Sequence, residues 1–494
     1  MKILLVTVPK EGSCVEGASP TYLLHDFANY PPLGLLAIAA EVDPRHELKV
    51  IDAVGKNYSL DRVVEEVKKF NPDLLGITLH SNRLYPSHML TKRVREEMPH
   101  IKLIGGGPHI DEFGMITMEL GFLDYAMAGY CEKTFPEFVE SLDEINNGAD
   151  PKPLFEKIPG LYYRQGEKIH FNPESDKPAN LDEFPFPKRE LVDLEDYFTA
   201  ADKETMTTMY TSRGCPYKCT FCDVLEKKYH YRSAKSTVDE MEYIMSLGIK
   251  EIHIFDDTFN LNRKRVIELC NEILSRNLKV RWAARVRAHP LDEEMLKLMK
   301  KAGCSRLHAG IESLDPASLE AMKKQITLDH IRAFFKLCKK LKIQTLSYMI
   351  LGFPEETPEY RKTFFKTLKS IGPTYVYINL LYPLPKTPLY YGLLESGFYE
   401  KDHWLEYFKN PTPNFDLPIC RDRELHLELI QLMDSVHKRF YLSPSFIIKD
   451  LMRNTSPKLL FIKAKLALKL IFADSAKDAA FTQFKSSISS RETA

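Results

Sequence analysis

The chain has no net charge: 68 Lys and Arg balance 68 Asp and Glu over 494 residues. That balance gives no reason to expect nucleic acid as the substrate. No run of eighteen or more apolar residues occurs, so no transmembrane helix is expected. No secretory signal precedes the first strand-like stretch, Met1 to Val8, and a cytoplasmic, reducing location is expected. The nine cysteines are odd in number and scattered, unlike a disulfide framework. The most informative lack is local. Cys215, Cys219 and Cys222 have no fourth cysteine close by and no second Cys-x2-Cys pair. What remains is ordinary for a globular protein. The hydrophobic content of 44% and aromatic content of 11% allow a sizeable core. The length suits two or three domains.

The three cysteines sit in Ser212-Arg-Gly-Cys-Pro-Tyr-Lys-Cys-Thr-Phe-Cys-Asp223, with Cys-x3-Cys-x2-Cys spacing. Three thiolates hold three irons of a 4Fe–4S cluster and leave the fourth iron open to bind and reduce a small molecule. A cluster used only for electron transfer is normally closed by four ligands. The other readings are a zinc site, which normally takes four ligands, and three unrelated core thiols. Gly214 and Pro216 suit a tight loop around a cofactor. The run follows an apolar, β-branched stretch, Met206 to Thr211, which reads as a strand. A barrel enzyme places its chemistry at such a strand end.

This loop resembles the radical S-adenosylmethionine superfamily. The resemblance implies that the open iron is chelated by the amino and carboxylate groups of S-adenosylmethionine. One electron then yields a 5′-deoxyadenosyl radical, which abstracts a substrate hydrogen atom. It implies that Phe221 lies by the adenine.

Residues 1 to about 145 alternate short apolar strands with amphipathic helices. The expected strands are Lys2–Val8, Leu48–Ile51, Leu74–Leu79, Lys102–Ile104 and Leu123–Ala126. Such alternation implies a parallel, doubly wound sheet with its ligand at the strands' carboxyl ends. Gly105, Gly106 and Gly107, with His109, follow the fourth strand. Gly129 and Glu132 follow the fifth at a helix start. With Tyr30-Pro-Pro-Leu-Gly and Pro72-Asp-Leu-Leu-Gly, these runs resemble the cobalamin-binding domain of one class of radical S-adenosylmethionine enzymes. The Asp-x-His-x-x-Gly motif that supplies a lower axial histidine elsewhere is absent. The resemblance then implies base-off cobalamin without a protein axial histidine, or an empty pocket. His109 reads either as facing the corrin or as a hydrogen-bonded loop histidine. Cys131 reads as a small buried side chain, and His80 as structural.

The organisation expected is α/β throughout. An N-terminal, Rossmann-like doubly wound sheet (1–148) precedes a connector rich in Pro and charge (149–204), with a hairpin at Gly160–Tyr163 and Lys168–Phe171. A partial (β/α)6 TIM-type barrel (205–400) and a mostly helical C-terminal segment (401–494) follow. Six strands are expected: Met206–Thr211, Glu251–Phe255, Val280–Ala284, Arg306–Ala309, Thr345–Ile350 and Tyr375–Leu380. Polar groups mark the strand ends: Asp256 and Asp257, Arg285 and Arg287, Glu312 and Ser313, then Gly352-Phe-Pro-Glu-Glu-Thr357. The resemblance implies that Asp256, Arg285, Glu312 and Ser313 help bind S-adenosylmethionine. A carboxylate can take its ammonium and an arginine its carboxylate. A loop-ordering salt bridge or cap is the alternative for Asp256, Asp257 and Glu312. Cys270, Cys304 and Cys338 read as core. Cys420, Tyr407 and Trp404 read as core or as lining the substrate opening.

Residues 458–472 are apolar over most of a helix surface, with Lys458, Lys465 and Lys469 as a basic stripe and Lys463 apart. This helix is expected to lie on a membrane surface or to dock on the barrel. The whole chain resembles the branch that includes anaerobic tetrapyrrole cyclases, hopanoid-modifying enzymes and phosphonate methylases. The resemblance implies methylation of an unactivated carbon on a small-molecule, lipid or tetrapyrrole substrate, with an electron donor such as flavodoxin or ferredoxin. Radical cyclisation or carbon–carbon coupling is the enzymatic alternative. A non-catalytic cobalamin or redox sensor is the third reading, for which a site-differentiated iron has no use.

Overall fold

A computed structural model describes residues 1–14, 28–174, 180–199, 201, 205–224, 226–453 and 457–472, with the backbone alone at Lys458. The chain divides into two units. The first is Met1–Cys14, Tyr30–Asp196 and His403–Phe415; the second is Val15–Asn29, Tyr197–Asp402 and Asp416–Ala494.

The first unit is built on β1 (Lys2–Thr7), β2 (Glu47–Asp52), β3 (Leu74–Thr78), β4 (Lys102–Gly106), β5 (Tyr125–Met127), β6 (Leu161–Gln165) and β7 (Lys168–Phe171). The sheet order is β2-β1-β3-β4-β5-β6-β7. The first five strands are parallel. Ile3 to Val6 are buried without alternation, as a strand covered on both faces requires. Around the sheet run α1 (Leu33–Ile38), α2 (Leu60–Phe70), α3 (Leu84–Glu97), α4 (Pro108–Glu119) and α5 (Cys131–Asn146). The order 2-1-3-4-5 reverses direction between β1 and β3, and a doubly wound sheet binds its ligand at that point.

Two expected boundaries are corrected. The segment 149–204 is not a connector throughout. Its hairpin becomes β6 and β7, and β6 pairs antiparallel with β5, so residues up to Asp196 belong to the first unit. Leu161, Tyr162 and Tyr163 supply the buried face, which the prolines and charges around them hide from a composition count. The span 401–494 is not one domain either, because α12 (His403–Lys409) through Phe415 belongs to the first unit.

In the second unit β8 (Met206–Met209), β9 (Glu251–Ile254), β10 (Arg281–Val286), β11 (Cys304–Glu312), β12 (Gln344–Leu351) and β13 (Tyr375–Leu380) lie side by side in chain order. All five pairings are parallel. The helices include α6 (Ala234–Ser246), α7 (Arg263–Ser275), α8 (Glu293–Lys301), α9 (Leu328–Lys340) and α10 (Pro358–Ile371). On α7 the buried set Val266, Leu269, Cys270 and Ile273 repeats at helical spacing. Cys270, Cys304 and Cys338 are buried, as the core reading expected. β11 runs past the expected Ala309 through a register shift between Gly310 and Glu312, and Glu312 takes a left-handed φ of 65°.

After α11 (Pro388–Glu395) come α13 (Arg423–Tyr441), which runs along β13 from its carboxyl end at His426 to its amino end at Tyr441, and then α14 (Pro444–Arg453) and α15 (Pro457–Phe472). Tyr441 Oη accepts from Val376 N at 3.0 Å. Asp450 accepts from Tyr375 Oη at 3.2 Å and from Lys463 Nζ at 2.6 Å. Among the described residues no helix is long and apolar enough to cross a membrane.

Candidate functional site

The cluster loop leaves β8 and is fastened by buried carboxylates. Asp256, fully buried after β9, accepts from Thr211 N at 2.6 Å, Ser212 N at 2.9 Å and both hydroxyls at 2.6 Å. The Arg265 guanidinium lies 3.5 Å from it. Asp257 accepts from Gly214 N at 2.8 Å. Of the two readings for Asp256, the structure gives it the loop-ordering role: its oxygens are spent on the chain that carries Cys215. Gly214 has φ +87°, and a Cβ there would sit 1.9 Å from Lys228 O, so no other residue fits. Ser212–Arg213 pairs antiparallel with His230–Tyr231, and Cys215 N donates to Glu226 O at 2.9 Å. These bonds close the base of the loop.

The far side of the loop is tied to other strand ends. Thr220 N donates to Met322 O at 3.0 Å, and Leu389 N to Thr220 O at 2.9 Å. Cys219 is buried, while Cys215 and Cys222 are partly exposed. Burial pushes the Cys222 thiol up to about 11, so without metal it is protonated and metal binding releases that proton. Among the described residues no three His, Cys, Asp or Glu side chains gather tightly enough to hold a metal ion. A four-iron cluster spaces its thiolates more widely than one ion does. The donor set fits it: three sulfurs on one pinned loop, at the carboxyl end of a barrel strand.

The remaining expected residues fall around this loop. The Phe221 ring lies edge-on to Phe353, centroids 5.7 Å apart, with Lys324 Nζ 5.8 Å away. Lys324 pairs with Glu312 at 2.8 Å, both largely buried. Ser313 is turned inward: Tyr360 Oη lies 3.2 Å from its Oγ, which also accepts from Asp315 N. The Arg285 guanidinium stacks over the Phe255 ring at 3.8 Å. Its neighbour two residues on reaches the cysteines instead. Arg287 lies over the Tyr217 ring at 3.7 Å, and its Nη1 is 3.9 Å from Cys219 Sγ. Asn260 grips the Arg287 backbone on both sides, at 2.9 and 3.0 Å. The sequence placed Arg287 at a strand end with no reason to prefer it, and nothing singled out Asn260 or Lys324. The loop after β12 is clamped from the C-terminal segment by Cys420 Sγ on Gly352 O at 3.3 Å. Glu356 there accepts from Gly352 N at 2.9 Å, and burial pushes its carboxyl up to about 7.

In the first unit the glycine loops meet at the carboxyl ends of β3, β4 and β5. Gly107 has φ +98°, and a Cβ there would lie 3.0 Å from Leu79 O. Gly105 packs where a Cβ would strike Leu123 and Leu79, whereas Gly106 is open. Gly129, also left-handed, donates its N–H to Asp111 at 2.8 Å. Glu132 is buried in the first turn of α5. Cys131 donates to Gly129 O at 3.4 Å, and burial raises its thiol pKa; its side chain is partly exposed, not the fully buried one expected. His109 is fully buried, hydrogen-bonded through Nδ1 to Ser81 Oγ at 2.9 Å, and follows the loop-histidine reading.

An aromatic group from far along the chain joins this edge. Phe408 meets the His109 ring edge-on at 4.9 Å and the Phe113 ring at 4.3 Å. Tyr407 stacks on Phe415 at 4.2 Å, and its hydroxyl accepts from Tyr85 N at 3.0 Å. Trp404, Tyr407 and Phe408 are all buried. Sequence spacing carries no sign of this return, which joins residues more than three hundred apart.

Comparison with known proteins matches these two regions to two families. Residues 209–368 match the Radical SAM superfamily and residues 23–139 the B12 binding domain. The chain is 31% identical over 457 residues to an uncharacterized methyltransferase of Pyrococcus horikoshii, covering 91% of this chain and 95% of that one. It is 25% identical over 401 residues to an anaerobic magnesium-protoporphyrin IX monomethyl ester cyclase of Cereibacter sphaeroides, covering 79% and 63%. Among solved structures, the fold is shared with OxsB, a cobalamin-dependent S-adenosylmethionine radical enzyme, at TM-score 0.64 and 15% identity, over 95% of this chain and 70% of that one. It is shared too with TsrM, a radical S-adenosylmethionine methyltransferase from Kitasatospora setae, at TM-score 0.58 and 21% identity, over 80% and 75%. The chain belongs to the radical S-adenosylmethionine enzymes that carry a B12-binding domain, and its cofactors are a 4Fe–4S cluster, S-adenosylmethionine and cobalamin.

Proposed function

We propose that the enzyme transfers a methyl group to an unactivated carbon of a small hydrophobic substrate. The observation that carries this reading is the pairing, on one chain, of a three-cysteine cluster loop with a B12-binding unit, in a match that covers 95% of a relative described as an uncharacterized methyltransferase. When bound, the cluster with S-adenosylmethionine supplies one-electron bond cleavage, and cobalamin supplies a methyl carrier.

The protein's own part is to hold and orient. Cys215, Cys219 and Cys222 are the iron ligands. Asp256 and Asp257 keep their loop in one shape. Arg287 would lie beside the cluster through its contact with Cys219. Glu312, released from Lys324, would take the ammonium of S-adenosylmethionine, Arg285 its carboxylate, and Phe221 would lie against its adenine. Ser313 would act through the turn it orders. Cobalamin would lie base-off at Gly105, Gly106, Gly107 and Gly129, with Glu132 close by. This fits the missing Asp-x-His-x-x-Gly motif and the bond between His109 and Ser81. A flavodoxin or ferredoxin would deliver electrons. α15 would touch a membrane surface from the cytoplasmic side.

The test is mass spectrometry of the nucleoside products after anaerobic reconstitution with cluster and cobalamin. Methyl transfer yields S-adenosylhomocysteine together with 5′-deoxyadenosine. 5′-Deoxyadenosine alone, with no methyl lost, would favour radical ring closure, the second reading supported by the likeness to the cyclase.

A further inference from the structure

The amino end of the second unit's barrel carries a cleft that the catalytic reading does not use. Its volume is about 820 Å³, and it lies between α9, α10, α13 and α14 at the start of β12 and β13. Eight of the side chains lining it are Lys or Arg, and none is Asp or Glu. Lys336 and Lys339 come from α9, Lys369 from α10, Arg439 from α13, and Lys449 and Arg453 from α14. Arg439 is held in place by stacking over the Phe365 ring at 4.0 Å. Asp329 pairs with Arg332 at the rim. Lys336, Lys339, Lys342, Lys369, Arg439 and Lys449 gather there in addition, and cations so gathered repel one another and attract an anion.

The next surface along is apolar. Ile447, Ile448, Leu451 and Met452 of α14 are exposed, Met452 by 80%. Phe461, Leu468, Ile471 and Phe472 of α15 are exposed as well. α14 therefore turns Asp450 inward, Lys449 and Arg453 to the cleft, and isoleucine and methionine outward. α15 is docked, through Leu459, Leu470 and the Lys463–Asp450 pair, yet still shows an apolar face. One face of 458–472 thus belongs to the barrel, as the docking expectation had it, and the other is open. Large exposed apolar patches mark interaction sites.

We infer that this end of the second unit docks on an anionic lipid bilayer, with the cleft taking phosphate-bearing headgroups and α14 and α15 entering the interface. The inference extends the peripheral contact proposed for α15, and it commits to lipid for two reasons. Basic charge beside exposed isoleucine, leucine and phenylalanine is the pattern of a monotopic surface. An electron-donor protein is disfavoured because the cluster loop lies at the opposite strand ends. β12 alone has eight residues, or about 26 Å of strand. Docked this way, the barrel holds its reacting end away from the bilayer. The membrane anchors the enzyme, and substrate enters from the aqueous side.

The experiment is flotation of the full-length protein with vesicles of phosphatidylcholine alone or mixed with phosphatidylglycerol. Two double variants are compared with wild type, Lys336→Glu/Lys449→Glu in the cleft and Ile448→Ser/Phe472→Ser on the helices. The wild type should float with anionic vesicles, weakly with neutral ones, and less as salt rises. Reversing two cations changes the charge by four units and should weaken partitioning by roughly a hundredfold or more, at about fivefold per charge near an anionic surface. The helix variant should weaken it on both vesicle types. 5′-Deoxyadenosine formation and thermal melting should stay unchanged in both, which separates this inference from the catalytic one. Loss with the helix variant alone would keep the α15 contact and overturn the cleft. Absence of flotation, equal flotation on neutral lipid, or cleft-dependent binding of flavodoxin or DNA without flotation would overturn the docking surface.

Discussion

The three-cysteine loop of the second unit and the glycine edge of the first are built by opposite means. The cluster loop is held by charge and hydrogen bonds: Asp256 alone accepts four of them within 2.9 Å. The glycine edge of the first unit is held by aromatic contact, with Phe408, Phe113 and His109 packed together. Hydrogen bonds are directional and costly to leave unmade when buried, so the first edge has one shape. Apolar burial is non-directional, and the rings meet edge-on and tilted, so the second edge is set by ring shape rather than by bonds. The teaching is chemical. A loop that must aim three sulfurs at one cluster needs rigidity.

The sharpest break in that comparison is replacement of Cys215, Cys219 and Cys222 by Ala. Iron content and 5′-deoxyadenosine formation should both vanish, while cobalamin uptake by the first unit persists. Any cleavage product above background would remove the cysteines from their role.

Asp256→Ala should come next. It strands Arg265 and four donors, and truncating one member of a buried charged set costs about 3–5 kcal/mol. Denaturant unfolding should register that loss, and reconstituted iron should fall with it. Full iron loading in a protein of wild-type stability would show that the loop does not depend on this carboxylate.

The aromatic edge should respond differently. Phe408→Ala removes a buried ring, worth about 3 kcal/mol, and amide exchange should accelerate in the first unit around His109. Cluster content should not change. If exchange is unaltered, residues 403–415 do not stabilise that edge.

The smallest effect is read in pH. Burial lets Glu356 keep its proton to about 7 in the folded enzyme, against 4.5 for an unperturbed carboxyl. The folded state binds more protons in that window, so stability is greatest below it and falls as pH rises through it. Glu356→Gln should remove the decline, so its stability relative to wild type should rise by about 3 kcal/mol between pH 4 and pH 8. Parallel pH profiles for the two proteins would exclude Glu356 as the cause.

Legibility in the sequence follows the same division. The cysteine spacing is visible because cluster chemistry demands residue types at fixed offsets. The barrel strands are visible because burial imposes apolar runs, and Tyr375–Leu380 was bounded as read. The task of Asp256 was not, because its donors, Thr211 and Ser212, lie forty-five and forty-four residues away and meet it only through the pairing of β8 with β9. Arg285 and Arg287 looked alike, yet one ends on a phenylalanine ring and the other beside Cys219. The β6–β7 hairpin had its strands foreseen and its sheet missed, since alternation says which face is apolar but not what covers it. The helix at 458–472 resisted a single answer because it has two apolar faces with different fates.

The return of residues 403–415 to the first unit also sets a schedule. During synthesis the strands and helices up to Asp196 emerge first, and the segment that completes their edge follows only after residues 197–402. At 5–20 residues per second that interval is roughly 10–40 s. Throughout it His109 and Phe113 lack Phe408, and Tyr85 N lacks the Tyr407 hydroxyl. The nascent B12-binding unit spends those seconds with an unfinished apolar edge open to chaperones or to misassociation. The half of the enzyme that is translated first is among the last to be finished.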